Sequence, residues 1–246
     1  MNFTKTMFAL AIGSAGIMGA MSASAATMTP GWTMSITAGV PTFDGSGTYT
    51  GVSSGSWFAM DTDGGSKIAG TEKVALSQGT AGIVIGATTT PGASHPGAPT
   101  AGDTNAITAP WNFFGNTGSD YVTTGITQTS ATTLNMSGWT VTWNGVPVIP
   151  MGSGAWTPLN AAAAGMATSG YANGVGVLNW NGVSGSTYTL DYTATVPLGD
   201  ASGFGGVKYG LHLTGVAAVP EASTYGMMLA GLGLVGFVAS RRRKSI

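Results

Sequence analysis

Ten consecutive residues, Thr187–Val196, alternate between two chemistries. Tyr188, Leu190, Tyr192, Ala194 and Val196 share one side; Thr187, Thr189, Asp191, Thr193 and Thr195 share the other. Side chains on a strand point alternately to opposite faces, so this stretch predicts a strand with one buried and one wet face. Val207–Thr214 repeats the pattern, with Val207, Tyr209, Leu211 and Leu213 on the apolar side and His212 on the polar one. Two such strands demand a sheet, and a sheet demands something to cover its apolar face.

The neighbouring segments agree. Trp139, Val141 and Trp143 alternate with threonines, and Asn144-Gly145 then predicts a tight hairpin turn into Val146–Ile149, because Asn-Gly tolerates positive φ. The tetrapeptide Trp-Asn-Gly-Val recurs at 180–183 after Val175–Asn179, predicting a second hairpin of similar design. Shorter strands are expected at Met34–Ala38, Trp57–Met60 and Ile83–Gly86, and a short helix at Leu159–Met166. Thr88–Asn105, with Pro91, Pro96 and Pro99, reads as loop. The expected fold class is all-β, an antiparallel β-sandwich over residues 26–218, flanked by an N-terminal signal helix and one C-terminal transmembrane helix.

Composition narrows the function. The 41 glycines argue against a helical chain, and 43% hydrophobic residues against a disordered one. Without cysteine, disulfides, thiolate metal sites and thiol catalysis are excluded. Residues 26–219 carry three lysines against eight acids, a balance of −5. Nucleic acid is therefore not an expected partner, since its binding needs a basic footprint.

Both ends read as addresses. Residues 1–25 form a secretory signal: Lys5, an apolar run from Met7 to Met21, then Ala23-Ser24-Ala25 with cleavage expected after Ala25. At the other end, the 15 uncharged residues Tyr225–Ala239 would span about 22 Å as a helix. Ala222–Ser240 would span about 28 Å, near the ~30 Å bilayer core, so a membrane span is expected at about 223–240. The basic tail 241–246, with Arg241, Arg242 and Arg243, would stay cytoplasmic and leave the rest of the chain outside.

This tail, 219–246, resembles the PEP-CTERM protein-sorting signal of Gram-negative bacteria, also found at the end of some ice-binding proteins. Val219, Pro220 and Glu221 match its box at 219–222, while Ala222 stands where a second proline is usual. The Gly/Leu-rich run Gly231–Gly236 and the arginines match the rest. The resemblance implies the secretion machinery and an exosortase as partners, cleavage near the box, and association with secreted exopolysaccharide.

Chemistry is sparse. His95 lies in the proline-rich loop and His212 on an expected wet face, so a histidine-led catalytic site is not expected. Asp61-Thr62-Asp63-Gly64-Gly65-Ser66 crowds two carboxylates into a glycine turn, and Asp61 and Asp63 are a secondary calcium candidate. The expectation there is a plain polar hairpin, without the twelve-residue loop and terminal Glu of an EF-hand; no cofactor is expected. Of the seven tryptophans, Trp139, Trp143 and Trp180 are expected in the core. Trp111, Phe113 and Phe114, flanked by loop, are the candidate ligand surface. The expected function is a non-enzymatic, exported surface or matrix protein. The alternatives are a carbohydrate-active hydrolase and an ice-binding protein.

Overall fold

The computed structural model describes residues 26–92, 94–219, 226 and 228–234. In chain order its strands are β1 (Thr33–Met34), β2 (Val40–Phe43), β3 (Tyr49–Ser54), β4 (Trp57–Asp61), β5 (Lys73–Ala75), β6 (Ile83–Val84), β7 (Trp111–Phe113) and β8 (Asn116–Val122). They continue with β9 (Thr127–Ser130), β10 (Thr133–Asn135), β11 (Trp139–Trp143), β12 (Ile149–Pro150), β13 (Val175–Trp180), β14 (Ser186–Thr195) and β15 (Lys208–Ala218). Among the described residues a 3-10 turn, Gly70–Glu72, and one short α-helix, α1 (Ala161–Ala164), interrupt them. The fold is all-β with antiparallel sheets.

The two strands legible in the sequence sit at the middle of the large sheet. Its order is β5-β4-β15-β14-β13-β10-β9, with β1 beside β15 and β6 beside β1. Leu190 pairs with Leu213, Tyr192 with Leu211 and Ala194 with Tyr209, and all six are wholly buried. A second sheet runs β12-β11-β8-β7, and a two-stranded β2-β3 hairpin stands apart. Tyr121, Trp139, Val141 and Ile149 of the second sheet join the inward residues of the first in one core. At about 1.5–3 kcal/mol per buried large side chain, this shared core is the main stabiliser. Val177–Trp180 of β13 extends the ladder to Asp191–Tyr188 of β14.

The loop before β7 does more than connect. Thr89 Oγ1 accepts the Val122 amide at 2.9 Å, Gly92 O accepts from Thr142 Oγ1 at 3.3 Å, and His95 O accepts the Thr117 amide at 3.0 Å. These bonds lay the loop over the far face of the second sheet, which is why β8 is buried on both sides from Thr117 to Val122.

Several expectations need correction. The outer face of β14 is not wet along its length. Thr187 is exposed, but Asp191 and Thr193 are buried. The segment leading into α1 lies over them: Thr193 Oγ1 donates to Trp156 O at 2.7 Å, and the Thr195 amide donates to Ser153 O at 2.9 Å. Trp57, Ala59, Ile68, Ala161, Ala164 and Met166 form a second, smaller core there. The expected helix at Leu159–Met166 shrinks to Ala161–Ala164 because Gly165 turns left-handed, at φ 82°, and caps it.

The two Asn-Gly turns also differ. Asn144 and Gly145 both have positive φ, 51° and 69°, as a two-residue hairpin requires. The strand after them is shorter than expected, Ile149–Pro150. At the second turn the Asn181 side chain accepts the Val183 amide at 2.9 Å, and the chain spends residues 181–185 before β14 begins. Trp139 is fully buried as expected, whereas Trp143 and Trp180 pack against the core from its edge.

Gly226 and residues 228–234 are helical. No helix among the described residues is long and apolar enough to cross a membrane. The expected signal with Ala23 and Ala25, the box residues Pro220 and Glu221, most of the expected span and Arg241–Arg243 lie outside the described residues. Val219 is described: it follows β15 directly, packs against the core, and its amide donates to Ser184 Oγ at 3.1 Å.

Candidate functional site

The β7–β8 hairpin builds one wall of an open groove. Phe113 pairs with Asn116, leaving Phe114-Gly115 as the two turn residues, at φ 46° and 75°. Glycine adopts that conformation freely, but phenylalanine is held there at a cost of order 1–3 kcal/mol. The side-chain amide of Asn116 donates to Phe114 O at 3.0 Å and helps hold the turn. Phe114 is left 65% exposed, its ring 4.2 Å from that of Phe113.

The β2–β3 hairpin builds the other wall. Asp44 Oδ1 accepts the amides of Ser46 and Thr48 at 2.8 and 2.9 Å, closing the turn between them. Bonds from the Ser46 hydroxyl and these amides hold the Asp44 carboxyl below the usual range. Phe43, 59% exposed, meets Tyr49 edge-to-face at 5.9 Å. Tyr49 donates its hydroxyl to Lys73 O, and burial pushes its pKa up to about 12, so it stays neutral.

Between the walls lies a cavity of about 530 Å³, lined by Phe43, Tyr49, Thr71, Lys73, Asn112 and Phe114 among others. Lys73 does not put its charge into it. Its Nζ donates to Ala164 O at 3.0 Å and lies 4.1 Å over the Trp57 ring, and burial lowers its pKa. The groove is thus neutral and aromatic, with amide and hydroxyl groups for orientation. That chemistry suits a polar, uncharged ligand with apolar faces, such as a sugar ring.

Of the three aromatic residues singled out in the sequence, the structure leaves only Phe114 with an open face. Phe113 is buried at 4% exposure and reaches the groove only at its floor. Trp111, also 4% exposed, is corrected from ligand surface to core. Its indole donates to Asp120 Oδ2 at 2.8 Å, and it crosses β8 over Gly118, where any Cβ would run into its ring. Asp120 needs those donors: it is wholly buried without a cation, held by Thr108 at 3.0 Å and Tyr209 at 3.1 Å as well. Burial raises its pKa to about 6. Phe43 and Tyr49 were missed, although the Asp-Gly-Ser-Gly turn between them carries a hairpin signature.

The histidines each meet a carboxylate. His95 Nε2 lies 3.0 Å from Asp103, and His212 Nδ1 lies 2.6 Å from Asp191 while its ring stacks on Trp57. Neither hydrogen-bonds to a serine or threonine hydroxyl among the described residues. Asp61 and Asp63 are brought together, and a third acid joins them. Asp61, Asp63 and Glu72 offer carboxylate oxygens all within 4.8 Å of one another. Glu72 is the twelfth residue counted from Asp61, which corrects the expectation that this stretch lacks the twelve-residue length and the terminal Glu. Counting onward from Asp61 would have found it.

Residues 218–244 match the family model of the PEP-CTERM protein-sorting motif. The chain therefore carries the sorting motif of an exported protein handled by an exosortase. No curated protein and no solved structure matches the chain.

Proposed function

We propose that this is an exported, non-enzymatic surface or matrix protein that associates with exopolysaccharide. Residues 1–25 direct export and are removed after Ala25. Residues 26–218 fold as a two-sheet β-sandwich. Residues 219–246 hold the precursor in the membrane through 223–240, with Arg241–Arg243 inside and the box Val219, Pro220 and Glu221 presented to the exosortase. Support for this order comes from Val219, which follows the last strand of the domain directly, so cleavage at the box leaves the core strand β15 intact.

The observation that carries the ligand reading is Phe114. A bulky residue in a left-handed turn, largely exposed and lining one groove with the exposed Phe43, is costly for folding alone. Rings so placed beside Asn112 supply stacking faces for pyranose units. The experiment is affinity electrophoresis through gels containing the cells' own exopolysaccharide. Phe114→Ala and Phe43→Ala should each weaken retardation by about tenfold, near 1.4 kcal/mol, and leave the melting temperature within a few degrees. Unchanged retardation by both variants would remove the groove from the function. Release of reducing ends by the wild-type protein would move it to the hydrolase class.

A further inference from the structure

We propose that the loop from Asp61 to Glu72 is a calcium site of the EF-hand loop type, framed by strands instead of helices. This goes beyond sorting and ligand binding and depends on neither. The twelve residues run Asp-Thr-Asp-Gly-Gly-Ser-Lys-Ile-Ala-Gly-Thr-Glu. Such loops take ligands from positions 1, 3, 5, 7, 9 and 12, the seventh through its backbone carbonyl and the last as a bidentate Glu, and turn sharply at position 6. Asp61, Asp63 and Glu72 fill positions 1, 3 and 12. Lys67 offers its carbonyl at position 7, while Gly65 and Ala69 leave positions 5 and 9 to water. Ser66, at position 6, has φ 56°, the conformation for which glycine is usual there.

The frame is rigid. Ala59 pairs with Lys73 and Phe58 with Val74, so the β4–β5 ladder pins both ends of the loop. Ile68, at position 8, is buried, and the Asn160 side chain grips it twice, accepting its amide and donating to its carbonyl, each at 2.8 Å.

An independent feature asks for a cation. The Asp61 side chain is 1% exposed. Its Oδ2 accepts the Ser66 amide at 2.9 Å and lies 3.8 Å from Lys208 Nζ. Its Oδ1 is buried with no hydrogen-bond partner. A buried carboxylate oxygen without a partner is costly, and a hard divalent cation satisfies it. Glu72 is oriented in advance, Oε1 accepting the Thr62 amide at 2.7 Å and Oε2 the Ala69 amide at 3.0 Å. Among the described residues these three carboxylates meet one ion-pairing lysine, Lys208, a local balance of −2 that suits one Ca²⁺. With few charged ligands and Lys208 opposing, the affinity belongs in the range of extracellular modules, a Kd of about 10⁻⁴–10⁻³ M.

The test uses the full chain in detergent, stripped with chelator. Terbium, which takes oxygen sites of this size, should luminesce on tryptophan excitation, since the Trp156 ring lies 5.5 Å from Lys208 Nζ. With terbium below saturation, calcium should displace it with a half-effect somewhat above its own Kd, at most a few millimolar (about 1–3 mM), and Mg²⁺, which demands tighter octahedral geometry, should do so at least about tenfold less well. Calcium at 10 mM should raise the melting temperature by about 3–10 °C. Asp63→Asn keeps the 2.7 Å bond from the Gly65 amide, so its chelated form should melt as wild type does, with calcium affinity down at least about tenfold. Glu72→Gln should lose the calcium shift as well, and Lys208→Met should tighten binding several-fold. Absence of any calcium-dependent shift in wild type, or a shift that survives both acid substitutions, would overturn the proposal.

Discussion

The two halves of β14 present the same threonine-rich outer face and meet opposite fates. At the start of the strand Thr187 is exposed and Thr189 half-buried, opening onto a polar hollow shared with Thr214 and Asn179. Four residues on, Asp191 and Thr193 are sealed under the segment that carries Trp156 and α1. There the polar groups find protein partners: Asp191 takes His212 at 2.6 Å and the Ala167 amide at 2.9 Å, and Thr193 both donates to and accepts from the Trp156 backbone. Alternation sets which side chains share a face, and a polar face can be covered if its groups are paired.

The inner face offers the sharpest way to break this comparison. Leu190→Asp places a charge among Tyr188, Tyr192 and Leu213, where no polar partner waits. It should cost more than about 4 kcal/mol and abolish cooperative unfolding, followed by tryptophan fluorescence in urea.

Asp120 extends the contrast to buried acids, since it meets only hydroxyl and indole donors, whereas Asp191 meets the His212 ring. Its folded pKa of about 6 lies above the ordinary carboxyl value of 3.8, so the folded state keeps a proton that the unfolded state releases. Its contribution is fully present below pH 3.8 and is lost as pH rises through about 6. About 3 kcal/mol of stability should disappear across that window, at about 1.4 kcal/mol per pH unit. Chemical denaturation at pH 4 and pH 7 measures it. Asp120→Asn should flatten the dependence, and an unchanged slope in that variant would place the titrating group elsewhere.

The smallest effect separates the two halves of β14 directly. Thr193→Val strands the Trp156 amide and carbonyl under cover and should cost about 2 kcal/mol. Thr189→Val, beside the hollow, should change stability by under about 0.5 kcal/mol. Equal costs in parallel thermal melts would mean that the two halves are covered alike.

Local chemistry in the sequence determined the strands and their inward faces. Tyr188, Leu190, Tyr192, Tyr209, Leu211 and Leu213 were readable because side-chain direction on a strand depends only on parity. The Asn144-Gly145 turn was readable because positive φ is a property of those residues, and the sorting tail because its box, apolar run and arginines are contiguous. Glu72 too was within reach, being a matter of counting from Asp61. Only the tertiary structure decided the rest. Trp111 and Phe114 are three residues apart in one aromatic run, yet Asp120 draws the first inward and a left-handed turn throws the second into solvent. Phe43 becomes a groove wall only when its hairpin stands opposite β7, some seventy residues later in the chain, and Asp191 finds the Ala167 amide only because the segment after α1 reaches it. Burial and site assembly depend on which distant segments meet, and parity within one strand carries no information about its neighbours.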